Sequence, residues 1–136
     1  MKPTIVGIDH LVLRTDNLEA MLVFYCDVLG CEIIRDEREQ LGLVQLQAGS
    51  ELIDLLLIGS EMGKLGGGAP TQYNNNLDHF CLRLRPISPQ ALCRYLRQRG
   101  IEVPNFEWRN GAEGFGDSIY IKDPDGNTVE LKSALQ

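Results

Sequence analysis

The chain has 136 residues, of which 43% are hydrophobic and 24% charged, a balance typical of one globular domain with a substantial core. Its formal net charge of −6 and the lack of a basic stripe argue against a nucleic-acid partner and a polyanionic membrane surface. The longest apolar stretch, around residues 52–58, is too short to span a bilayer. The four cysteines form no Cys-x-x-Cys pair and no secretory signal is recognisable, so we expect reduced thiols and a cytoplasmic location.

The first part of the chain predicts a strand, a helix and three further strands. Alternation over residues 5–13 predicts a strand with His10 on one side and Leu11 on the other. Asp16 and Glu19 have the spacing of a capping box, and the apolar residues that follow at helical spacing predict a helix over residues 17–29. Three further strands are predicted at residues 31–36, 41–47 and 52–58.

The second part of the chain repeats this order after a connector rich in glycine and asparagine. We expect a single domain, residues 1–136, made of a first module over 1–58, a connector over 59–76 and a second module over 77–136. In the second module the pattern predicts a strand over 77–84, a helix from the N-cap Ser88 to Arg99, and a strand over 101–103.

The end of the second module combines a polar loop with a hairpin. The loop is expected over residues 105–117 and contains Trp108, the only tryptophan, which we take as a candidate substrate contact. Asp125-Gly126 supplies the turn conformation between strands predicted at 118–122 and 128–132. Each module therefore has the order βαβββ, which predicts the α+β class.

The only two histidines lie at the same place in two similar phrases, Ile8-Asp9-His10-Leu11-Val12-Leu13-Arg14 and Leu77-Asp78-His79-Phe80-Cys81-Leu82-Arg83. Near the end of each module a strand-like run also contains one acid, Asp54 in the first and Glu130 in the second. The chain is therefore interpreted as a duplication in which each half offers one imidazole and one carboxylate.

Alternation along the strands indicates that these four side chains share the sheet side that faces away from the helices. If the two similar sheets curl toward each other, the side chains converge and can bind one divalent ion such as Zn, Fe, Mn, Co or Ni. The ion would polarise a carbonyl group while Glu130 or Asp54, the candidate catalytic bases, moves a proton. Glu51 is a rival to Asp54, but it falls on the opposite side of an unbulged strand.

Other polar residues on the same side have two interpretations. Arg14 and Arg83 each lie four residues after a histidine, where they would bind a carboxylate or phosphate of a substrate or form an ion pair with a local acid. Cys81 is a further candidate substrate contact or a residue that fills the interior. Gly66-Gly67-Gly68 is not a phosphate loop, because no Gly-Lys-Ser/Thr motif and no following helix accompany it.

The chain resembles the vicinal oxygen chelate superfamily, which includes glyoxalase I, methylmalonyl-CoA epimerase, fosfomycin-resistance thiol transferases and extradiol dioxygenases. The resemblance covers nearly the whole chain. It rests on the two histidine phrases, on Phe24-Tyr25-Cys26-Asp27-Val28-Leu29-Gly30, and on Asp123-Pro124-Asp125-Gly126-Asn127-Thr128-Val129-Glu130.

The resemblance implies two βαβββ modules that form an incomplete barrel around a divalent metal held by His10, Asp54, His79 and Glu130. In glyoxalase I an arginine four residues after the first ligand contacts glutathione, and Arg14 has that spacing. Asp54 departs from the family pattern, in which this ligand is commonly Glu or Gln. The shorter side chain implies a metal closer to that strand, an intervening water, or a set of two histidines and one carboxylate.

The function expected from these features is that of a metal-dependent lyase or isomerase of the glyoxalase type, acting on a small carbonyl, hemithioacetal or thioester substrate with glutathione as a candidate co-substrate. One alternative is an extradiol-type dioxygenase or a metal-dependent thiol transferase. Another is a non-catalytic binder of small molecules that resembles bleomycin-resistance proteins. The expected partners are a small-molecule substrate and a second copy of the chain, with no nucleic acid and no membrane.

Overall fold

The structure is a computed structural model that describes residues 1–135, and it contains two compact units, Met1–Pro70 and Thr71–Gln136. Each unit has one four-stranded mixed sheet with a helix between its first and second strands. This arrangement confirms the predicted α+β class and the repeated βαβββ order. Among the described residues, no helix has the length and apolar character that a transmembrane span requires.

In the first unit the sheet has the spatial order β1-β4-β3-β2, in which β1 and β4 are parallel and the other neighbours are antiparallel. The strands are β1 (His10–Thr15), β2 (Glu32–Glu37), β3 (Leu43–Ala48) and β4 (Glu51–Leu57). Helix α1 (Leu18–Leu22) follows β1, and the short helix α2 (Glu61–Lys64) follows β4. The core between α1 and the sheet includes Met21, Tyr25, Val44, Leu46 and Leu55, all fully buried.

The predicted helix over residues 17–29 is correct in extent but changes type along its length. After Leu22 the chain continues as a π-helix over Val23–Val28, where Leu29 N donates to Phe24 O at 3.0 Å, five residues earlier. The predicted capping box is wrong, because the N-cap is Asn17, which makes no side-chain cap bond. Thr15 Oγ1 instead accepts a hydrogen bond from Asn17 N at 2.9 Å.

The sheet of the second unit has the equivalent order β5-β8-β7-β6, again with one parallel pair, β5 and β8. Helix α3 (Pro89–Gln98) begins as predicted, because the Ser88 hydroxyl accepts a hydrogen bond from Ala91 N. Leu92 and Leu96 of α3 are buried with the apolar side of the sheet. The strands are β5 (Phe80–Leu84), β6 (Glu107–Arg109), β7 (Gly116–Lys122) and β8 (Thr128–Ser133).

Two further predictions of local structure are wrong. Residues 101–103 are not a strand, and the edge strand is β6, which lies inside the predicted loop and pairs with β7. Pro104 lacks a backbone N–H for a sheet ladder, which favours pairing further along the chain. Strands β1 and β5 begin later than the predicted residues 5 and 77. The predicted connector contains helix α2, whose N-cap is Ser60, where the hydroxyl oxygen accepts a hydrogen bond from Gly63 N.

Candidate metal centre

Each unit places one imidazole and one carboxylate on the same face of its parallel strand pair, at the same offset. On β1 and β4, His10 lies beside Leu52, two residues before Asp54. On β5 and β8, Cys81 lies beside Glu130, and His79 is two residues before Cys81. The histidine and the acid therefore have the same offset in both units. The repeat seen in the sequence is therefore also a repeat of strand register.

In the second unit the predicted ligands are in contact. His79 Nε2 lies 3.2 Å from Glu130 Oε1, and the Glu130 side chain is almost completely buried. Ser118 Oγ donates to Glu130 Oε2 at 2.6 Å, which holds one carboxylate oxygen and leaves the other directed at the imidazole. Tyr120, beside Glu130 in the register, packs its ring edge-on against His79 at a centroid distance of 5.4 Å.

In the first unit Asp54 is 4% exposed, and its two carboxylate oxygens differ. Gln45, beside Asp54 on β3, donates to Oδ2 at 3.1 Å. Oδ1 is buried and has no hydrogen-bond partner among residues 1–135. A buried anionic oxygen without a partner is unfavourable by several kcal/mol in order of magnitude, so this oxygen is suited to a cation that neutralises it.

Both histidines are held by the aspartate that precedes them. Asp9 Oδ1 lies 2.6 Å from His10 Nδ1, and Asp78 Oδ2 lies 2.6 Å from His79 Nδ1. The hydrogen bond that the His10 ring donates to Asp9 raises the pKa of His10 above its usual 6.5. Desolvation opposes part of this rise, and the charge of Asp54 adds to it. The Nε2 atom of each ring is then the one directed away from the preceding aspartate.

The raised pKa of His10 gives a pH prediction. Because Asp9 favours the imidazolium, its stabilising effect is present below pH 6.5 and is lost as the pH rises through the higher folded-state pKa. We expect an NMR titration midpoint for His10 above 6.5 in the metal-free protein, and a lower midpoint in Asp9→Asn. Equal midpoints in the two proteins would contradict the assignment.

The other predicted site residues differ in their placement. Cys81 lies on the ligand face, and burial together with Glu130 raises the pKa of its thiol to about 11, so the thiol remains protonated at neutral pH. Ser118 lies on the same side of the sheet as Glu130, so its neighbour Asp117 lies on the other side. Trp108 pairs with Asp117 and therefore lies on the helix side of the sheet, opposite Glu130. There it stacks on Phe115 beside a small cavity of about 290 Å³ under α3. The structure therefore does not place Trp108 with the predicted ligands.

The two arginines lie on the ligand face but are bound to neighbouring loops. The Arg14 guanidinium donates to the carbonyl oxygens of Gly63, Gly67 and Gly68 at 2.5 to 3.2 Å. Arg83 Nε lies 3.3 Å from Glu113 Oε1, and about half of the Arg83 side chain is exposed. Arg83 is thus more available to a substrate than Arg14, which would have to give up three hydrogen bonds.

Sequence reasoning missed three residues around Glu130. The first is Ser118. The second is Lys132, whose buried ammonium donates hydrogen bonds of 2.6 Å to the carbonyl oxygens of Arg109 and Gly114. The third is Arg109, whose side chain hydrogen-bonds Tyr120. Burial raises the pKa of Tyr120 and Glu130 adds to the rise, while the bond from Arg109 opposes it. Alternation in β7 and β8 could have found Ser118 and Lys132, since both share the side of Glu130.

The predicted ligands are grouped as two pairs, one in each unit. Within residues 1–135, no three His, Cys, Asp or Glu side chains are close enough together to hold a metal ion. A cleft of about 780 Å³ in the first unit includes none of the predicted ligands in its lining. It lies instead around the β2–β3 turn and α2, lined by residues such as Thr15, Arg38, Leu41 and Met62.

Comparisons with known proteins agree with the fold. The chain is 34% identical over 127 residues to biphenyl-2,3-diol 1,2-dioxygenase 3 of Rhodococcus globerulus, covering 90% of this chain and 60% of that enzyme. The chain therefore spans less than two thirds of the dioxygenase. It is 26% identical over 127 residues to a Synechocystis protein named "Probable lactoylglutathione lyase", covering 90% of this chain and 91% of the relative.

A solved structure shows the same fold over the whole length. An integron cassette protein from the mobile metagenome of V. cholerae matches with a TM-score of 0.74 and 25% identity, covering 99% of this chain and 100% of the other. The profile of one family matches residues 7–131, a range that includes both histidines, Asp54 and Glu130. The chain belongs to the Glyoxalase/Bleomycin resistance protein/Dioxygenase superfamily.

Proposed function

We propose that this protein is a metal-dependent lyase or isomerase of the glyoxalase type, in which His10, Asp54, His79 and Glu130 bind one divalent ion. The observation that carries the proposal is the unpartnered, buried Oδ1 of Asp54, which lies at the strand position equivalent to that of Glu130. A buried carboxylate oxygen that no donor satisfies is suited to a cation, and it favours Asp54 as a fourth ligand.

The donor set fits a borderline divalent ion. Two imidazole nitrogens and two carboxylate oxygens suit Zn, Ni, Co, Mn or Fe and leave positions open for water or substrate oxygens. Ligand atoms that are each about 2.1 Å from one ion and subtend about a right angle are about 3 Å apart. The 3.2 Å between His79 Nε2 and Glu130 Oε1 agrees with that separation.

The bound ion would supply Lewis-acid polarisation of a substrate carbonyl or hydroxyl oxygen. The protein residues would hold the acids and move the proton. Gln45 donates to one oxygen of Asp54 and Ser118 to one oxygen of Glu130, so neither of these donors holds the second oxygen of its acid, which would bind the ion. Either acid is then a candidate to take a proton from the carbon next to the polarised carbonyl and return it to a neighbouring atom.

The substrate is proposed to be a small carbonyl, hemithioacetal or thioester compound, with glutathione as candidate co-substrate. Arg83, with one exposed ion pair, is the better candidate for contact with a substrate carboxylate, and Arg14 remains the alternative. The protonated Cys81 thiol would contact substrate without acting as a nucleophile. Trp108 would contact a substrate only if the bound molecule reached the opposite side of the sheet.

A second candidate function is that of an extradiol-type dioxygenase, which the 34% identity to the Rhodococcus enzyme favours. That chemistry needs two histidines and one carboxylate, so Asp54 would not bind the ion. A thiol transferase has the same requirement, and a non-catalytic binder would need no ion at all. The metal stoichiometry and the role of Asp54 therefore separate these functions.

We also propose a cytoplasmic homodimer. All four cysteines are free thiols, which is typical of a reducing compartment. Ile5, Val6 and Ile8 are each at least 74% exposed, and apolar side chains in a row at the surface favour contact with another protein. A second copy of the chain is the partner that this proposal names.

The function is tested by metal analysis followed by activity measurements. We expect about one divalent ion for each set of the four ligands His10, Asp54, His79 and Glu130. We also expect the protein to isomerise the hemithioacetal of methylglyoxal and glutathione, and this activity should stop when the metal is chelated and return when metal is added. Acyl-CoA epimerisation and oxygen uptake with catechols are measured in parallel. Oxygen uptake without hemithioacetal turnover would replace the lyase by the dioxygenase, and binding of small molecules without any metal would replace both by the binder.

A further inference from the structure

Each of the two histidines contacts the carboxylate of the aspartate that precedes it, through the same ring atom and at the same distance. Asp9 meets Nδ1 of His10 at 2.6 Å, and Asp78 meets Nδ1 of His79 at 2.6 Å. Both aspartate side chains are nearly fully exposed, at 89% and 96%, so neither is there to fill a core. The backbone of Asp9 is itself fixed, because its carbonyl oxygen accepts a hydrogen bond from Leu52 N of β4.

This contact determines which ring nitrogen has a lone pair. An ionised carboxylate can only accept hydrogen bonds, so a neutral imidazole beside it must have its proton on Nδ1. The lone pair is then on Nε2, which is the atom that binds a metal when Nδ1 donates to an outer acid. An imidazole without such a partner is free to place the proton on Nε2, where it blocks coordination.

The second unit adds an independent observation. His79 Nε2 lies 3.2 Å from Glu130 Oε1, on the side of the ring away from Asp78. With the neutral ring protonated at Nδ1, these two atoms face each other as electron-pair donors and cannot hydrogen-bond. Such a pair is favourable when a cation binds both atoms. The positions of Asp78, His79 and Glu130 are therefore suited to binding a cation between His79 Nε2 and Glu130 Oε1.

We propose that Asp9 and Asp78 are positioning residues that hold His10 and His79 in the Nδ1–H form and so present Nε2 to a metal ion. The proposal rests on the metal centre proposed above and adds two residues that do not touch the ion. It also assigns a purpose to the Asp-His pair that occurs in both copies of the repeated phrase.

The test reads the tautomer directly in the metal-free protein. With only two histidines, long-range nitrogen–proton NMR spectra of the rings are simple, and they are recorded at a pH where both imidazoles are neutral. We expect Nδ1–H for both rings in the wild type. In Asp78→Ala we expect His79 to shift toward the Nε2–H form while His10 keeps the Nδ1–H form. In Asp9→Ala we expect His10 to shift toward the Nε2–H form while His79 keeps the Nδ1–H form.

The same proteins are then titrated with Zn²⁺ against a chelating indicator. We expect about 10- to 100-fold weaker binding in Asp78→Ala, the usual range for loss of an outer-shell acid on a histidine ligand, and partial recovery in Asp78→Glu. The matched control is Asp117→Ala, which removes the same charge from an exposed position on the opposite side of the sheet and should leave the affinity unchanged.

The outcomes separate this proposal from the metal centre itself. If the wild type binds zinc and Asp78→Ala binds it equally well, or if its His79 keeps the Nδ1–H form, the positioning role is overturned and the metal centre stands. If the wild type binds no zinc, the metal centre fails and the positioning role fails with it, whatever form the rings adopt. A loss of affinity equal to that of Asp117→Ala would show a general charge effect and also overturn the proposal.

Discussion

Glu130→Gln is expected to weaken binding of a divalent ion by at least about 100-fold, since loss of a direct ligand exceeds the roughly 10- to 100-fold typical of outer-shell partners. The substitution keeps the shape of the side chain but removes the charge that lies 3.2 Å from His79 Nε2. Asp54→Asn is expected to have an effect of the same order, because it replaces the carboxylate with the unpartnered oxygen. Equilibrium dialysis with Zn²⁺ and metal analysis of the dialysed protein measure both effects.

Glu51→Gln is the matched control for this experiment. Glu51 is an exposed acid on the same strand as Asp54, three residues away and on the other side of the strand. Its replacement should leave the affinity within about twofold of the wild type, since an exposed charge on the far side of the sheet is screened by solvent. A loss with Glu130→Gln but none with Asp54→Asn would indicate the ligand set of two histidines and one carboxylate, and no loss in either variant would remove the proposed centre.

The repeat was predictable from the sequence because strand periodicity is strict. Every second residue of a strand points to the same side, so alternation alone assigns the acid of each last strand to the side of its histidine. The equivalent offsets of His10 with Asp54 and of His79 with Glu130 follow the same rule. Topology was predictable for a similar reason, since each module must cover one side of its sheet with its helix.

The parts that sequence did not predict depend on contacts between elements. Strand β6 has three exposed residues, and its existence depends on pairing with β7 and not on an apolar pattern of its own. The face of Trp108 follows from that pairing, so a loop assignment could not place it. The change from α- to π-helix at Val23 leaves the apolar spacing nearly unchanged and is therefore invisible to periodicity.

Buried charge was the other difficulty. Lysine is almost never fully buried without a partner, and nothing near Lys132 in the sequence identifies its partners. They are the backbone carbonyl oxygens of Arg109 and Gly114, which any residue could supply. Arg14 is an equivalent case in the first unit, where the guanidinium binds glycine carbonyls and a Cβ added at Gly66 would meet it at 2.3 Å. A glycine-rich loop held by a cation lies beside the ligand face in each unit.

Lys132→Met is expected to destabilise the second unit by about 2 to 3 kcal/mol, the usual range for loss of hydrogen bonds to a charged group. Methionine keeps most of the aliphatic stem but leaves the carbonyl oxygens of Arg109 and Gly114 without their donor. Because β6 contains both Arg109 and the only tryptophan, urea unfolding followed by Trp108 fluorescence reports on the affected segment. The transition should move to lower urea concentration and the loop should become more sensitive to limited proteolysis.

Arg83→Met is the matched control for Lys132→Met, since it removes a cation that lies beside Lys132 in the register but makes only an exposed ion pair with Glu113. An exposed pair contributes at most about 1 kcal/mol, so this variant should unfold close to the wild type. If both variants shifted equally, the effect would reflect net charge alone. If Lys132→Met were as stable as the wild type, the loop between β6 and β7 would not depend on the buried ammonium, and Arg109 would have to be held beside Tyr120 by its own side-chain hydrogen bonds.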